Sequence, residues 1–180
     1  MAAGRVTRIR DRLVAQADDL AQLIAASGGD ADEASRMRNA LALRRGAATA
    51  QIRQVGDVLV RLVMLARDAG VAVPTASFEA AVRHLATRLA DDHPGQSIEV
   101  RIPPITAVQI GSTAGPTHTR GTPPNVVETD ADTWFELAVG STRWAAALAD
   151  GRVRASGAHA HELAALLPVD QTSGSMLRSS

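Results

Sequence analysis

The loop at residues 115–125 carries the side chains of this chain that are best suited to contact a charged ligand. His118 and Arg120 lie close together in it, among the hydroxyl groups of Thr117 and Thr122. A guanidinium group can make paired hydrogen bonds with a carboxylate or a phosphate, and an imidazole can add another. The pattern therefore predicts that His118 and Arg120 contact an anionic head group. In the alternative interpretation, the imidazole and the hydroxyls satisfy the backbone of their own loop.

A third interpretation of this loop is general-base catalysis by His118. The imidazole would need a carboxylate to orient it, and Glu128 or Asp130 could supply one. Threonine hydroxyls are the only nucleophiles near it in the sequence, and Asp130 is also placed to cap a helix. We therefore predict no catalytic residue and expect a protein that is not an enzyme.

The composition argues against several kinds of metal and cofactor chemistry. The chain has no cysteine, and its 19 basic residues are all arginine. Thiolate, disulfide and Schiff-base chemistry are therefore excluded. His159 and His161 could bind a metal, but side chains two positions apart on a helix point in different directions. We predict neither a metal site nor a cofactor.

Charge and hydropathy limit the classes of partner. The formal net charge is zero, whereas a nucleic-acid-binding protein usually shows a basic footprint. The most apolar run, residues 58–66, is interrupted by Arg61 and is much shorter than the roughly 20 residues of a membrane span. We expect a cytoplasmic protein with no nucleic-acid partner and no integral membrane segment.

The first part of the chain has the periodicity of amphipathic helices. Apolar residues recur at steps of three and four, which predicts helices over residues 5–26, 31–45 and 50–68. Gly70 and the short connector that ends at Pro74 indicate a domain boundary. We predict an N-terminal helical extension over residues 1–72, whose amphipathic helices are suited to homodimer formation.

The rest of the chain has an α+β pattern. A helical period over residues 76–90 gives way to strict alternation over residues 97–102, which is typical of a strand with one buried face. Two more strands, two short helices, a fourth strand and a last helix follow; their predicted positions are residues 105–110, 125–129, 130–140, 141–151, 152–156 and 159–167.

Local signals set several of these boundaries. Thr129 or Asp130 is suited to cap the first short helix, which should end at Gly140. Ser141 is suited to cap the second. The domain is predicted to span residues 73–169, and the polar residues 170–180 should form a disordered tail.

Three features of this region resemble the sterol carrier protein family, in its small actinobacterial form, over residues 76–168. They are the segment Asp132-Thr-Trp-Phe-Glu-Leu-Ala-Val-Gly140, the run Ala-Asp-Gly-Arg-Val-Arg-Ala-Ser-Gly at residues 149–157, and the leucines at residues 163–167. The resemblance implies a mixed sheet covered by helices on one side, with an apolar cavity between them. Members of the family bind sterols, fatty acids or acyl-CoA. The fold also occurs as an accessory domain of enzymes, including mycothiol-dependent ones.

The function implied by the resemblance is that of a non-enzymatic carrier of a sterol, a fatty acid or an acyl-type ligand. His118 and Arg120 would be its polar contacts. The residues expected to form the wall of its cavity are apolar and come from the strands and short helices: Val108, Trp134, Leu137, Trp144, Leu148, Leu163 and Leu167. The alternative is a structural or interaction module, or an accessory of a mycothiol-type enzyme system, with no ligand of its own. In that case the two tryptophans are core anchors.

Overall fold

A computed structural model of the protein describes four stretches of the chain: residues 2–28, 30–42, 48–111 and 125–170. His118, Arg120 and all of the predicted tail (residues 170–180) except Asp170 lie outside these stretches. The contacts within the chain divide it into two compact units, Met1–His84 and Leu85–Ser180. The predicted domain limits at residues 72 and 169 stay a prediction.

Three helices build most of the first unit: α1 (Ala2–Ala26), α2 (Ala31–Ala42) and α3 (Ala48–Asp68). Each of them packs on the other two. Their apolar stripes are buried as the helical period predicts; the fully buried side chains include Leu20, Ile24, Leu59 and Leu62. The predicted N-terminal helical extension is confirmed.

A buried histidine joins α3 to the first part of α4 (Thr75–Asp92). The side chain of His84 is 7% exposed, and its Nε2 atom lies 2.8 Å from Oδ1 of Asp57. Gly56 lies directly against the imidazole, so a Cβ atom at this position would overlap the ring. The glycine therefore gives the ring its space, and the aspartate gives it a hydrogen bond.

Four strands form the mixed sheet of the second unit: β1 (Ile98–Ile102), β2 (Thr106–Ile110), β3 (Asn125–Thr129) and β4 (Val153–Ser156). Their spatial order is β2-β1-β3-β4. The central pair, β1 and β3, is parallel, whereas β2 and β4 pair with them in the antiparallel sense. This confirms the predicted α+β fold.

The two faces of the sheet differ in chemistry. On β1, Ile98, Val100 and Ile102 are fully buried, as the alternation predicts. The opposite face carries a row of charges across three strands, in which Arg101 pairs in register with Glu128 and Glu128 with Arg154. The apolar face is therefore the one that the helices cover.

Two short helices follow β3. Asp130 caps α5 (Ala131–Val139), and Gly140 ends it in the left-handed conformation, with φ of 81°. Both were predicted. The prediction that Ser141 caps the next helix is wrong, because its amide and hydroxyl both donate to the carbonyl of Glu136 at the end of α5.

The last two helical segments differ in detail from the prediction. The sixth helix, α6 (Trp144–Ala149), begins after Arg143, which makes no side-chain capping bond. The final segment, Ala160–Leu166, is a 3₁₀ helix. Such segments are common as short connectors, and their side-chain period is close to that of an α-helix, so the sequence pattern does not separate the two.

The cap of α5 gives a first testable prediction. Oδ1 of Asp130 accepts a bond from the Thr133 amide at 2.8 Å, and Oδ2 accepts one from the Thr133 hydroxyl at 2.8 Å. Burial raises the pKa of Asp130, but these hydrogen bonds outweigh it and hold the pKa below its usual value. Asp130→Ala is expected to lower the free energy of unfolding by about 1 kcal/mol at neutral pH.

The pH dependence of this loss follows from the direction of the shift. Because the pKa is lowered in the folded protein, the carboxylate stabilises it above the unfolded value of about 4, and the gain disappears as the pH falls through the folded value. The difference in the free energy of unfolding between wild type and Asp130→Ala, measured by urea unfolding, should be smaller at about pH 3 than at neutral pH. Asp130→Asn should keep the cap without this pH dependence. An equal difference in the free energy of unfolding at both pH values would contradict the assignment of the ionised Asp130 carboxylate as the cap.

Candidate functional site

The predicted cavity-wall residues fall into two groups by exposure. Trp134 and Leu137 of α5 and Leu163 of the 3₁₀ helix are at most 2% exposed, so they belong to the interior of the domain. The others are half-buried and border both the core and the surface: Val108, Trp144, Leu148 and Leu167. Only this second group can meet a ligand without a rearrangement of the core.

Most of the half-buried group gathers at one edge of the sheet. Both α6 and the 3₁₀ helix pack against β4, and the 3₁₀ helix also packs against β3. Trp144 of α6 meets the ring of His161 edge-on, with ring centroids 6.3 Å apart. Val108 lies on β2, at the opposite edge of the sheet. The fold thus brings α6 and the 3₁₀ helix together but keeps Val108 apart from them.

The carboxylates considered for catalysis have structural partners. Asp130 is bonded to Thr133 in the cap of α5. Glu128 lies on the charged face of the sheet, where an oxygen atom of its carboxylate is 3.9 Å from Arg154. His118 and Arg120 are outside the described residues. The described part of the chain therefore offers neither carboxylate as a free partner for an imidazole.

The structure adds polar groups that the sequence analysis did not propose as ligand contacts. Nδ1 of His159 lies 2.6 Å from Oε1 of Glu162. The buried side chain of Asn125 accepts a bond from the His159 amide at 2.9 Å and donates one to the carbonyl of Ser97 at 2.9 Å. Asn125 thereby ties the start of β1 to the segment that carries His159.

One of these two features had a signal in the sequence. His159 and Glu162 are three positions apart, a spacing at which helical side chains meet. From the sequence, His159 is considered only together with His161, as a candidate metal ligand. The bridge made by Asn125 joins residues 34 positions apart and has no local signature.

Residues 74–169 match a family model described as the bacterial SCP ortholog, where SCP denotes sterol carrier protein. The match covers just over half of the chain, from the residue before α4 to the end of the segment after the 3₁₀ helix. The chain belongs to this family. Among curated proteins, none matches it. The predicted resemblance to sterol carrier proteins is confirmed.

The charged face of the sheet holds an open groove of about 390 Å³ beside the turn between β1 and β2. Its lining is mostly charged or polar and includes a pair of prolines: Glu99, Arg101, Pro103, Pro104, Thr106, Ala107 and Glu128. None of the seven predicted cavity-wall residues, all of which are described, takes part in this lining. Arg101 is engaged by Glu99 at 3.0 Å, and this pairing raises the pKa of the guanidinium.

The described stretches of the chain contain neither a cluster of metal-binding side chains nor a membrane-spanning helix. No three His, Asp or Glu side chains there are close enough together to hold a metal ion. None of the helices in these stretches is both long enough and apolar enough to cross a membrane.

Proposed function

We propose that this protein is a non-enzymatic carrier that holds a sterol, a fatty acid or an acyl-type ligand on the helix-covered side of its sheet. Membership of the family supports a lipid-binding carrier role in general. The observation that carries the proposal is the half-burial of a group of three apolar side chains, which is called the half-buried cluster here: Trp144 and Leu148 on α6, which packs against β4, and Leu167 directly after the 3₁₀ helix. Ligand sites are lined predominantly by apolar and aromatic side chains, and these three are apolar and still accessible.

In this proposal the other predicted site residues have supporting roles. Trp134, Leu137 and Leu163 would stabilise the core of the domain, and Val108, at the opposite edge of the sheet, would contact the far end of a long ligand. His118 and Arg120 would contact an anionic head group. The carrier works in the cytoplasm, takes no cofactor, and uses its N-terminal helices for homodimer formation.

The proposal can be tested by introducing a single charged residue into the half-buried cluster. Leu148→Asp is expected to weaken the binding of a fluorescent fatty acid at least about tenfold, because burial of an unpaired carboxylate against an apolar ligand is costly. The measurement is a fluorescence titration of protein that has first been stripped of lipid. The matched control is Ala149→Asp, which places the same charge on the exposed side of α6.

Circular dichroism and thermal unfolding would establish that both variants are folded. Equal affinities of the wild type, Leu148→Asp and Ala149→Asp would contradict the assignment of the cluster. A wild-type protein that binds neither fatty acid nor sterol would contradict the carrier function itself.

A second candidate is an interaction module with no ligand. The complete burial of Trp134, Leu137 and Leu163 favours it, because these side chains then serve as core anchors and need no further role. This candidate predicts a folded protein that takes up no lipid, and in which Leu148→Asp weakens self-association or partner binding.

A further inference from the structure

Two apolar side chains are exposed on one face of α1. Ile9 and Leu23 are 44% and 40% exposed, and they are the large apolar residues that lie open to solvent in the part of the chain that the structure describes. They are fourteen positions apart, close to four helical turns, so they share a face and lie about 21 Å apart along it. The fully buried Leu20 and Ile24 belong to a different face, which packs in the helical unit. The face with Ile9 and Leu23 is therefore not used by that core.

The same face of α1 carries charged side chains that are segregated along the helix. Arg5 and Arg12 are exposed in its first half, and Asp19 is exposed in its second half. This order does not stabilise the helix itself, which would gain from acids near its start and bases near its end. Within the described stretches none of these three takes part in a salt bridge, whereas the neighbouring Arg10 pairs with Asp11 at 2.7 Å.

The pattern on this face is centred on Gln16. Ile9 and Leu23 lie seven positions to either side of it, and Arg12 and Asp19 lie four positions before and three positions after it. The Gln16 amide itself donates to a backbone carbonyl at the start of α4, at 3.0 Å. A second α1, laid antiparallel with its own Gln16 opposite, would place its Leu23 against Ile9. It would also place its Asp19 against Arg12, and two-fold symmetry makes each contact occur twice.

We propose that α1 forms the homodimer by pairing antiparallel with α1 of a second copy, through the face that carries Ile9, Arg12, Asp19 and Leu23. The inference rests on the proposed use of the N-terminal helices for homodimer formation, and deepens it by naming the surface and the orientation. A parallel pair would bring arginines against arginines and aspartates against aspartates, which is unfavourable. The antiparallel pair joins opposite charges and removes the two exposed apolar side chains of each copy from water.

Sedimentation velocity of the full chain over a concentration series measures the dimer. The wild type is expected to dimerise reversibly, and less tightly when the salt is raised from about 50 mM to about 0.5 M, because salt screens exposed charge pairs. Arg12→Asp should weaken the dimer at least about tenfold, since both attractive pairs become repulsive. Combining Arg12→Asp with Asp19→Arg should restore the dissociation constant to within about threefold of the wild type.

The apolar contact is tested by Leu23→Arg. This change removes an apolar contact and adds a positive charge beside the arginine-bearing half of the second copy, so it should also weaken the dimer at least about tenfold. The matched control is Ala25→Arg, which places the same charge at an exposed position that lies on another side of α1 and should leave the dimer unchanged. Circular dichroism and thermal unfolding check that every variant is folded.

Disulfide cross-linking tests the orientation, because the chain has no cysteine of its own. An oxidised mixture of Ile9→Cys and Leu23→Cys proteins should cross-link in an antiparallel dimer, whereas neither protein should cross-link with itself. Cross-linking of each variant alone would show a parallel pair and overturn the proposal.

The outcomes separate this inference from the rest of the proposed function. A wild type that stays monomeric at every concentration would overturn the inference together with the homodimer. A dimer that survives Arg12→Asp or Leu23→Arg, or that the combined charge reversal fails to restore, would overturn the assigned surface alone. The carrier function is measured separately by titration with a fluorescent fatty acid, and Leu23→Arg should leave that affinity unchanged, because α1 belongs to the other compact unit.

Discussion

Replacement of Trp134 by alanine is expected to lower the free energy of unfolding by about 3–5 kcal/mol. The indole is fully buried on α5 and is among the largest side chains of the interior. In a chain with only 2% aromatic residues, few neighbouring side chains have the bulk to fill the space that it would leave. Urea unfolding followed by far-ultraviolet circular dichroism measures the loss.

The other tryptophan provides the control for this prediction. Trp144 is half-buried, so Trp144→Ala removes less apolar area from the core and should cost clearly less than Trp134→Ala. The reverse order, or equal losses, would contradict the assignment of Trp134 to the core and Trp144 to the border of the site.

Replacement of Gly56 by alanine is expected to destabilise the protein by about 1–3 kcal/mol, the range typical of an overpacked core. In an open helical position the same change would be favourable by about 1 kcal/mol, because alanine has the higher helix propensity. Here the new Cβ atom would overlap the ring of His84, which is buried and bonded to Asp57. The sign of the effect on urea unfolding therefore tests the contact.

Two further variants make this test specific. Gly4→Ala in α1 is the matched control, because nothing lies within 4 Å of its Cβ position, and it should be neutral or stabilising. In the His84→Ala background, Gly56→Ala should lose most of its cost, since the ring that it overlaps is gone. Stabilisation by Gly56→Ala alone would show that the ring does not occupy this space.

The parts of the fold that were predicted correctly depend on local patterns. The alternation over residues 97–102 predicts that one face of β1 is apolar and buried. The structure confirms this, because Ile98, Val100 and Ile102 are all buried. The boundaries of α5 follow from Asp130 and Gly140, whose roles depend on backbone geometry within a single turn. Such features need no knowledge of the tertiary structure.

The features that were missed depend on contacts between distant segments. His84 and Asp57 are 27 residues apart, and Asn125 and His159 are 34 apart. Both pairs form only after the helices and strands have packed, so no local pattern indicates them.

The same limit applies to the candidate site. Trp134 and Trp144 lie on successive short helices with similar sequence patterns, yet one is sealed in the core and the other borders the surface. That difference comes from the way α5 and α6 pack, which their local sequence patterns do not indicate. The structure therefore divides the seven predicted wall residues into three that are buried and four that are half-buried.

Native mass spectrometry of the protein purified without detergent, followed by extraction and identification of what it releases, tests the carrier function most directly. A bound species of lipid mass is expected on the wild type, retained in Ala149→Asp and lost in Leu148→Asp. An empty, folded wild-type protein that also takes up no added sterol, fatty alcohol or fatty acid would contradict the carrier function.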